Sequence, residues 1–201
     1  FAHFCGGESI ENCNQVIQKH AEKNIGTILN YSVEGEYTEE NFDITAQEII
    51  RTIHLAYNNP RTPFTVFKPT GLIYYNILEK IQAGLSLDPA EHKRFFNAKK
   101  RIENICRIAF EKQVSLFIDA EKSWFQKPID NIAGEMMQKF NSKKAIIFNT
   151  IQLYRKDSIE MLEQEIQKAR ENKYFVGLKL VRGAYMEEER IRAKNLNYSS
   201  P

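Results

Sequence analysis

What this 201-residue chain lacks narrows the field first. It has no apolar run near the ~20 residues that a membrane-spanning helix needs. Its three cysteines, Cys5, Cys13 and Cys106, are too few and too scattered for a disulfide framework or a zinc site, so reduced thiols are expected. Its four histidines, His3, His20, His54 and His92, lie far apart, and none stands at i, i+4 to another ligand type. None of its nine glycines falls in a GxGxxG or GxxxxGKS/T pattern, so a phosphate-cradling first loop is unsupported. No serine or cysteine occupies a nucleophile elbow. Neither sign of charge dominates: 28 Lys and Arg stand against 26 Asp and Glu, and a net +2 gives no nucleic-acid or membrane-surface footprint. Repeats at a solenoid period and low-complexity tracts are absent as well. Phe1 opens no signal peptide and 198–201 reads as mid-loop sequence, so both ends are expected to be cut.

What is present is the composition of a soluble globular domain, 42% hydrophobic and 27% charged. A single domain of this length buries roughly 70% of its unfolded surface. Short β-branched runs alternate with longer amphipathic stretches, the rhythm of β/α units and a parallel sheet. A helix is expected over 6–23, with Ser9 as its cap, and a strand over 26–33 (GTILNYSV). Thr38 caps a helix to about Ala56, with Phe42, Ala46, Ile49, Ile50 and Ile53 on one face. The second strand is 64–68 (FTVFK), followed by helical segments 72–82 and 89–113. The third strand is 114–119 (VSLFID), before a helix over 124–140. The fourth is 145–151 (AIIFNTI), before a helix over 157–172 that Asp157 caps and whose stripe is Ile159, Leu162, Ile166 and Ala169. The fifth is 174–181 (YFVGLKLV), before a last helix from Tyr185 to about Asn195. Two folds fit five such units: a doubly wound sheet, or the first five units of an eightfold β/α barrel.

Parallel β/α folds meet ligands at the carboxyl ends of their strands. Each strand here delivers polar groups to that end: Ser32, Glu34 and Glu36; Lys68; Asp119 and Glu121; Asn149 and Gln152; Lys179, Arg182 and Tyr185. Each has a plain alternative. Lys68 can snorkel to solvent, Asp119 can cap a turn, Gln152 can be a loop amide, and Tyr185 can pack at a helix start. Gly183 and Ala184 leave room for a ligand near the backbone, or serve a tight turn. The run Lys99-Lys100-Arg101 reads as a solvated helix face, Trp124 and Phe125 as packing, Cys106 as core, and Glu187-Glu188-Glu189 as first-turn charges that suit the helix dipole.

Five segments, in order along the chain, together resemble proline dehydrogenases: 30–35 (NYSVEG), 67–71 (FKPTG), 117–121 (FIDAE) with Trp124-Phe125-Gln126, 147–154 (IFNTIQLY) and 179–185 (KLVRGAY) with Glu188, Glu189 and Arg190. The form is similar to the stand-alone enzymes of eukaryotes and some bacteria. The resemblance implies a distorted (β/α)8 TIM-like barrel, residues 1–201 being its N-terminal portion. It also implies FAD held non-covalently at the strand ends. The implied reaction oxidises L-proline to Δ1-pyrroline-5-carboxylate, the first step of proline catabolism, by hydride transfer from C5 to flavin N5, with electrons passed to a quinone.

Position by position, the resemblance makes Asp119 and Lys179 catalytic and gives Lys68, Tyr185 and Glu36 to the substrate, Lys68 to its carboxylate. Ala120, Gln152, Leu180, Arg182, Gly183 and Ala184 go to the flavin. Many bacterial members carry Arg where this chain has Lys179, a change from a bidentate fork to a point charge. The family's late helix, with two arginines and a glutamate for the substrate, would lie beyond Pro201. The expected partners are L-proline and a quinone but no nucleic acid. The expected location is the bacterial cytoplasm, peripheral to the inner membrane, with the mitochondrion as alternative. Two other readings stand beside this one: a Schiff-base lyase of the same architecture using Lys68 or Lys179, and an inactive barrel fragment.

Overall fold

The computed structural model describes residues 6–7, 9–31 and 37–199. Helix α1 (Ile10–Ala21) starts where the Ser9 hydroxyl accepts the Asn12 N–H at 3.2 Å. Strand β1 (Leu29–Asn30) is shorter than the sequence suggests, and 32–36, with Glu36, lie outside the described residues. Thr38 caps α2 (Glu39–Asn58) through the Asn41 N–H at 3.1 Å, and the expected apolar face, Phe42 to Ile53, is buried.

Strand β2 (Phe64–Phe67) runs into a 3₁₀ turn, Pro69–Gly71, before α3 (Tyr75–Gln82). Asp88 and Glu91 form a capping box at the start of α4 (Pro89–Lys112), and Gln113 closes it at φ 56°. Then come β3 (Ser115–Ile118), α5 (Gln126–Phe140), β4 (Ile147–Gln152), α6 (Ser158–Asn172), β5 (Leu178–Val181) and α7 (Met186–Leu196).

Three local expectations are corrected. Asp157 precedes α6 but does not cap it with its side chain, because Arg155 takes both carboxylate oxygens, at 3.0 and 2.7 Å. Of the expected stripe of α6 only Ala169 is buried: Ile159 is 70% exposed, and Leu162 and Ile166 are half-buried. Strand β5 starts at Leu178 rather than Tyr174, since Asn141 binds both backbone groups of Phe175, at 2.9 Å each, and keeps that segment out of the ladder.

The five strands are parallel and stand in chain order, β1-β2-β3-β4-β5. A doubly wound sheet reverses its order at a switch point; among the described strands none does. Right-handed crossovers advancing in one direction bring their helices to one face. That face carries Phe67, Leu116, Ile118 and Ile147, packed with Ile49 and Ile53 of α2, Ile102 and Ile105 of α4, and Ile129 and Met136 of α5. Each such fully buried side chain contributes roughly 1.5–3 kcal/mol. The opposite face is left to a different set of residues.

Candidate active site

Side chains along a strand alternate between faces. With Phe67 and Ile118 committed to the helices, Phe64, Val66 and Lys68 share the other face with Phe117 and Asp119. Phe148, Thr150 and Gln152 join them from β4, and Lys179 and Val181 from β5. At the lower end the phenylalanines touch. Phe64 and Phe117 stack at 4.6 Å, and Phe148 meets Phe117 edge-on at 5.4 Å. Above them the polar residues surround a hollow of about 480 Å³, within the range of small-molecule sites.

Lys68, Asp119, Ala120, Gln152, Lys179, Arg182, Gly183, Ala184 and Tyr185 all line this hollow, with Asn30, Thr150 and Val181. Leu180 does not: it alternates with Lys179 and Val181, faces the other way and is 57% exposed. Asn149 also leaves the rim. Paired in register with Ile118, it turns to the helix layer and donates to Asp130 Oδ1 at 3.0 Å. A larger groove of about 770 Å³ among α5, α6 and α7 has mixed charge but takes in none of the residues singled out at the strand ends.

Lys179 Nζ reaches across β4 to Asp119 Oδ1 at 2.5 Å, passing over Thr150, its register partner, and the Phe117 ring at 5.3 Å. Among the described residues no carboxylate lies within ion-pair distance of Lys68 or Arg182, leaving two cations at the hollow for an anionic ligand. Burial pushes the Tyr185 hydroxyl up to about 12, helped by the charges of Glu121 and Asp119, so it stays protonated. Gln152 is buried; its Nε2 donates to the Glu121 carbonyl at 2.9 Å, while its Oε1 has no partner among the described residues. Gly183 sits at φ +120°, where a Cβ would fall 1.8 Å from Cε1 of Tyr154. Only glycine allows that approach of backbone to ring.

Several residues around the site form contacts that the sequence reading did not assign them. Glu121 is 5% exposed and accepts the Thr70 N–H at 2.9 Å and hydroxyl at 2.6 Å. Burial raises its carboxyl above the usual range, against the pull of those two bonds. Glu189 lies in the first turn of α7 as expected, yet it does more than suit the helix dipole. It is fully buried and accepts the Ser123 N–H and hydroxyl, both at 2.6 Å, and the Tyr154 hydroxyl at 3.4 Å. Its neighbour Glu188 is exposed and pairs with Lys122 at 2.6 Å. Trp124 lies in a 3₁₀ turn rather than in α5, and its indole N–H donates to Glu79 at 2.9 Å.

The family model described as proline dehydrogenase matches residues 13–201. The carbapenem antibiotics biosynthesis protein CarD of Pectobacterium carotovorum subsp. carotovorum is 32% identical over 93% of this chain and 50% of its own length. Proline dehydrogenase 1, mitochondrial, of Dictyostelium discoideum is 30% identical over 100% of this chain and 42% of its own length. The chain thus spans half or less of these relatives. Proline utilization A from Bdellovibrio bacteriovorus, in a crystal structure of the form inactivated by N-propargylglycine, shares the fold over 98% of this chain and 22% of its own, with a TM-score of 0.80 at 19% identity. No helix among the described residues is long and apolar enough to cross a membrane. A family match over nearly the whole length, together with relatives at this identity, makes the chain a member of the proline dehydrogenase family.

Proposed function

We propose that the chain forms five consecutive units of a (β/α)8 barrel that binds FAD at its strand ends and oxidises L-proline to Δ1-pyrroline-5-carboxylate. The observation that carries this reading is the meeting of Lys68, Asp119, Gln152, Lys179 and Tyr185 around one hollow, in a chain of this family. The residues present fit the cofactor. The orphaned, buried Oε1 of Gln152 calls for an N–H donor such as a flavin ring edge presents. Arg182 offers charge to a phosphate, and Gly183 and Ala184 bring backbone to the rim with little side chain in the way.

FAD held there would supply the electron sink for the hydride, one proton with its two electrons, that the oxidation of proline releases. The chain's own groups do the rest. Lys68 fixes the substrate carboxylate through a charge-assisted hydrogen bond. Tyr185 lends a flat wall with a protonated hydroxyl at its edge. Asp119 anchors the Lys179 ammonium above Phe117, so that this cation is aimed rather than mobile. The phenylalanines beneath keep that end of the hollow apolar, which strengthens each charge contact above it. Orienting C5 toward the cofactor within such a pocket is the protein's main contribution to rate. Glu36, Lys68 and Tyr185 are the proposed substrate groups. Quinone is the proposed electron acceptor, reached by peripheral association with a bacterial inner membrane or, as for the Dictyostelium relative, in a mitochondrion.

The test loads the protein that carries this chain with FAD and supplies L-proline and an artificial electron-accepting dye. Proline-dependent dye reduction with bleaching of the flavin band is expected. A colourless protein that reduces no dye refutes the proposal, and borohydride trapping of a carbonyl substrate on Lys68 or Lys179 would establish the lyase reading instead.

A further inference from the structure

Gln126 opens α5 and is 1% exposed, and both ends of its amide are engaged. Its Oε1 accepts the Glu121 N–H at 2.6 Å, and its Nε2 donates to Asp130 Oδ1 at 2.9 Å. The orientation is forced, because a backbone N–H only donates and a carboxylate only accepts. Asp130 is itself held: the same Oδ1 accepts Asn149 Nδ2 at 3.0 Å, and Arg155 lies 3.7 Å from Oδ2. In the next peptide unit the Glu121 carbonyl accepts from Gln152 Nε2. A carbonyl only accepts, so Gln152 is committed with its nitrogen inward and its oxygen left over. The Glu121 side chain meanwhile grips Thr70, two residues beyond Lys68.

We propose that Gln126, oriented by Asp130, is a positioning residue: by fixing the Glu121 backbone it presents Gln152 as a hydrogen-bond acceptor to the flavin edge and steadies the turn that carries Lys68. The inference rests on the flavoenzyme reading. It adds the polarity of the Gln152 contact and the residues that enforce it. None of them touches the hollow's ligand directly, so their effect passes through Glu121.

The experiment titrates apo-protein with FAD, following flavin fluorescence and the visible band of the bound flavin. Gln126→Met keeps the volume and loses both bonds. It is expected to raise the FAD Kd about tenfold, the scale of one hydrogen bond, and to shift the band. Gln152→Ala should give a similar loss, and the double variant no more than about twofold beyond either, because both changes remove one contact. Gln126→Glu is expected to restore affinity to within about threefold, its carboxyl sharing a proton with Asp130 as paired carboxyls do. Should Gln126→Met fail to fold, Gln126→Asn paired with Gln152→Ala carries the same cycle. Unchanged Kd and band in Gln126→Met or Gln126→Asn, or losses that simply add, overturn the inference while leaving the flavoenzyme reading intact. A wild-type protein that binds no FAD overturns both.

Discussion

Three adjacent glutamates open α7, and the structure separates them sharply. Glu189→Ala removes a fully buried carboxylate that accepts two 2.6 Å bonds from Ser123 and a longer one from Tyr154. Hydrogen bonds to a charged group contribute roughly 1.5–3 kcal/mol each, and truncation strands the Ser123 donors. Against that stands the relief of a carboxylate's desolvation, worth several kcal/mol. The expected net loss is about 3 kcal/mol. For a chain of this size about 2–4 °C is lost per kcal/mol, so the melting temperature should fall by roughly 6–12 °C. Glu188→Ala, one position away, breaks only a surface pair with Lys122 and should cost under about 0.5 kcal/mol. Thermal melts of both variants beside the wild type, with urea titrations to check that the slope is unchanged, decide the matter. A Glu189→Ala protein that melts within a degree or two of Glu188→Ala would show that the buried carboxylate does not tie the loops together.

Other expectations follow from the same contacts. Lys68→Ala should raise the KM for proline about a hundredfold with a smaller effect on kcat, the pattern of a lost charge contact to bound substrate; an unchanged KM removes Lys68 from the substrate site. Gly183→Ala combines φ +120° with a Cβ driven into Tyr154, so the ring must leave Glu189; a loss of about 2–4 kcal/mol in urea unfolding is expected, and a neutral substitution would contradict the packing. Burial raises the Asp130 carboxyl from 3.8 to about 6, so its neutral form favours the fold below the unfolded value and that stabilisation is lost as pH rises through about 6. Two units correspond to about 3 kcal/mol. Asp130→Asn should therefore gain stability relative to wild type between pH 4 and 7.5, and parallel pH profiles for the two proteins would rule this out.

The sequence was a better guide to elements than to faces. The helix starts at Ser9 and Thr38 were legible because capping is local. So was the convergence of strand ends, which follows from parallel topology alone. Asn149 and Gln152 were both assigned to the rim, yet residues three apart on a strand face opposite ways; the phase was available in the spacing. Leu180, which the resemblance gave to the flavin, stands one residue out of phase with Lys179 and outside the hollow. Glu189 could not be found in this way, since its value depends on Ser123 and Tyr154 from two other loops. Asp157 was misread because a cap competes with any nearby cation, and Arg155 stands two residues away. The true extent of β5 depended on Asn141, 34 residues from Phe175.

Glu121 reaches α5 and the end of β4 with its backbone and the Thr70 turn with its side chain. Such a shared hub couples the elements it touches. A change at Thr70 loosens a carboxylate whose own peptide supports Gln152, so neither loop is free to drift by itself. Substitutions at positions 70, 121, 126 and 152 should accordingly be non-additive in their effect on stability. Exposed neighbours such as Lys127 and Leu153 answer to no such bargain.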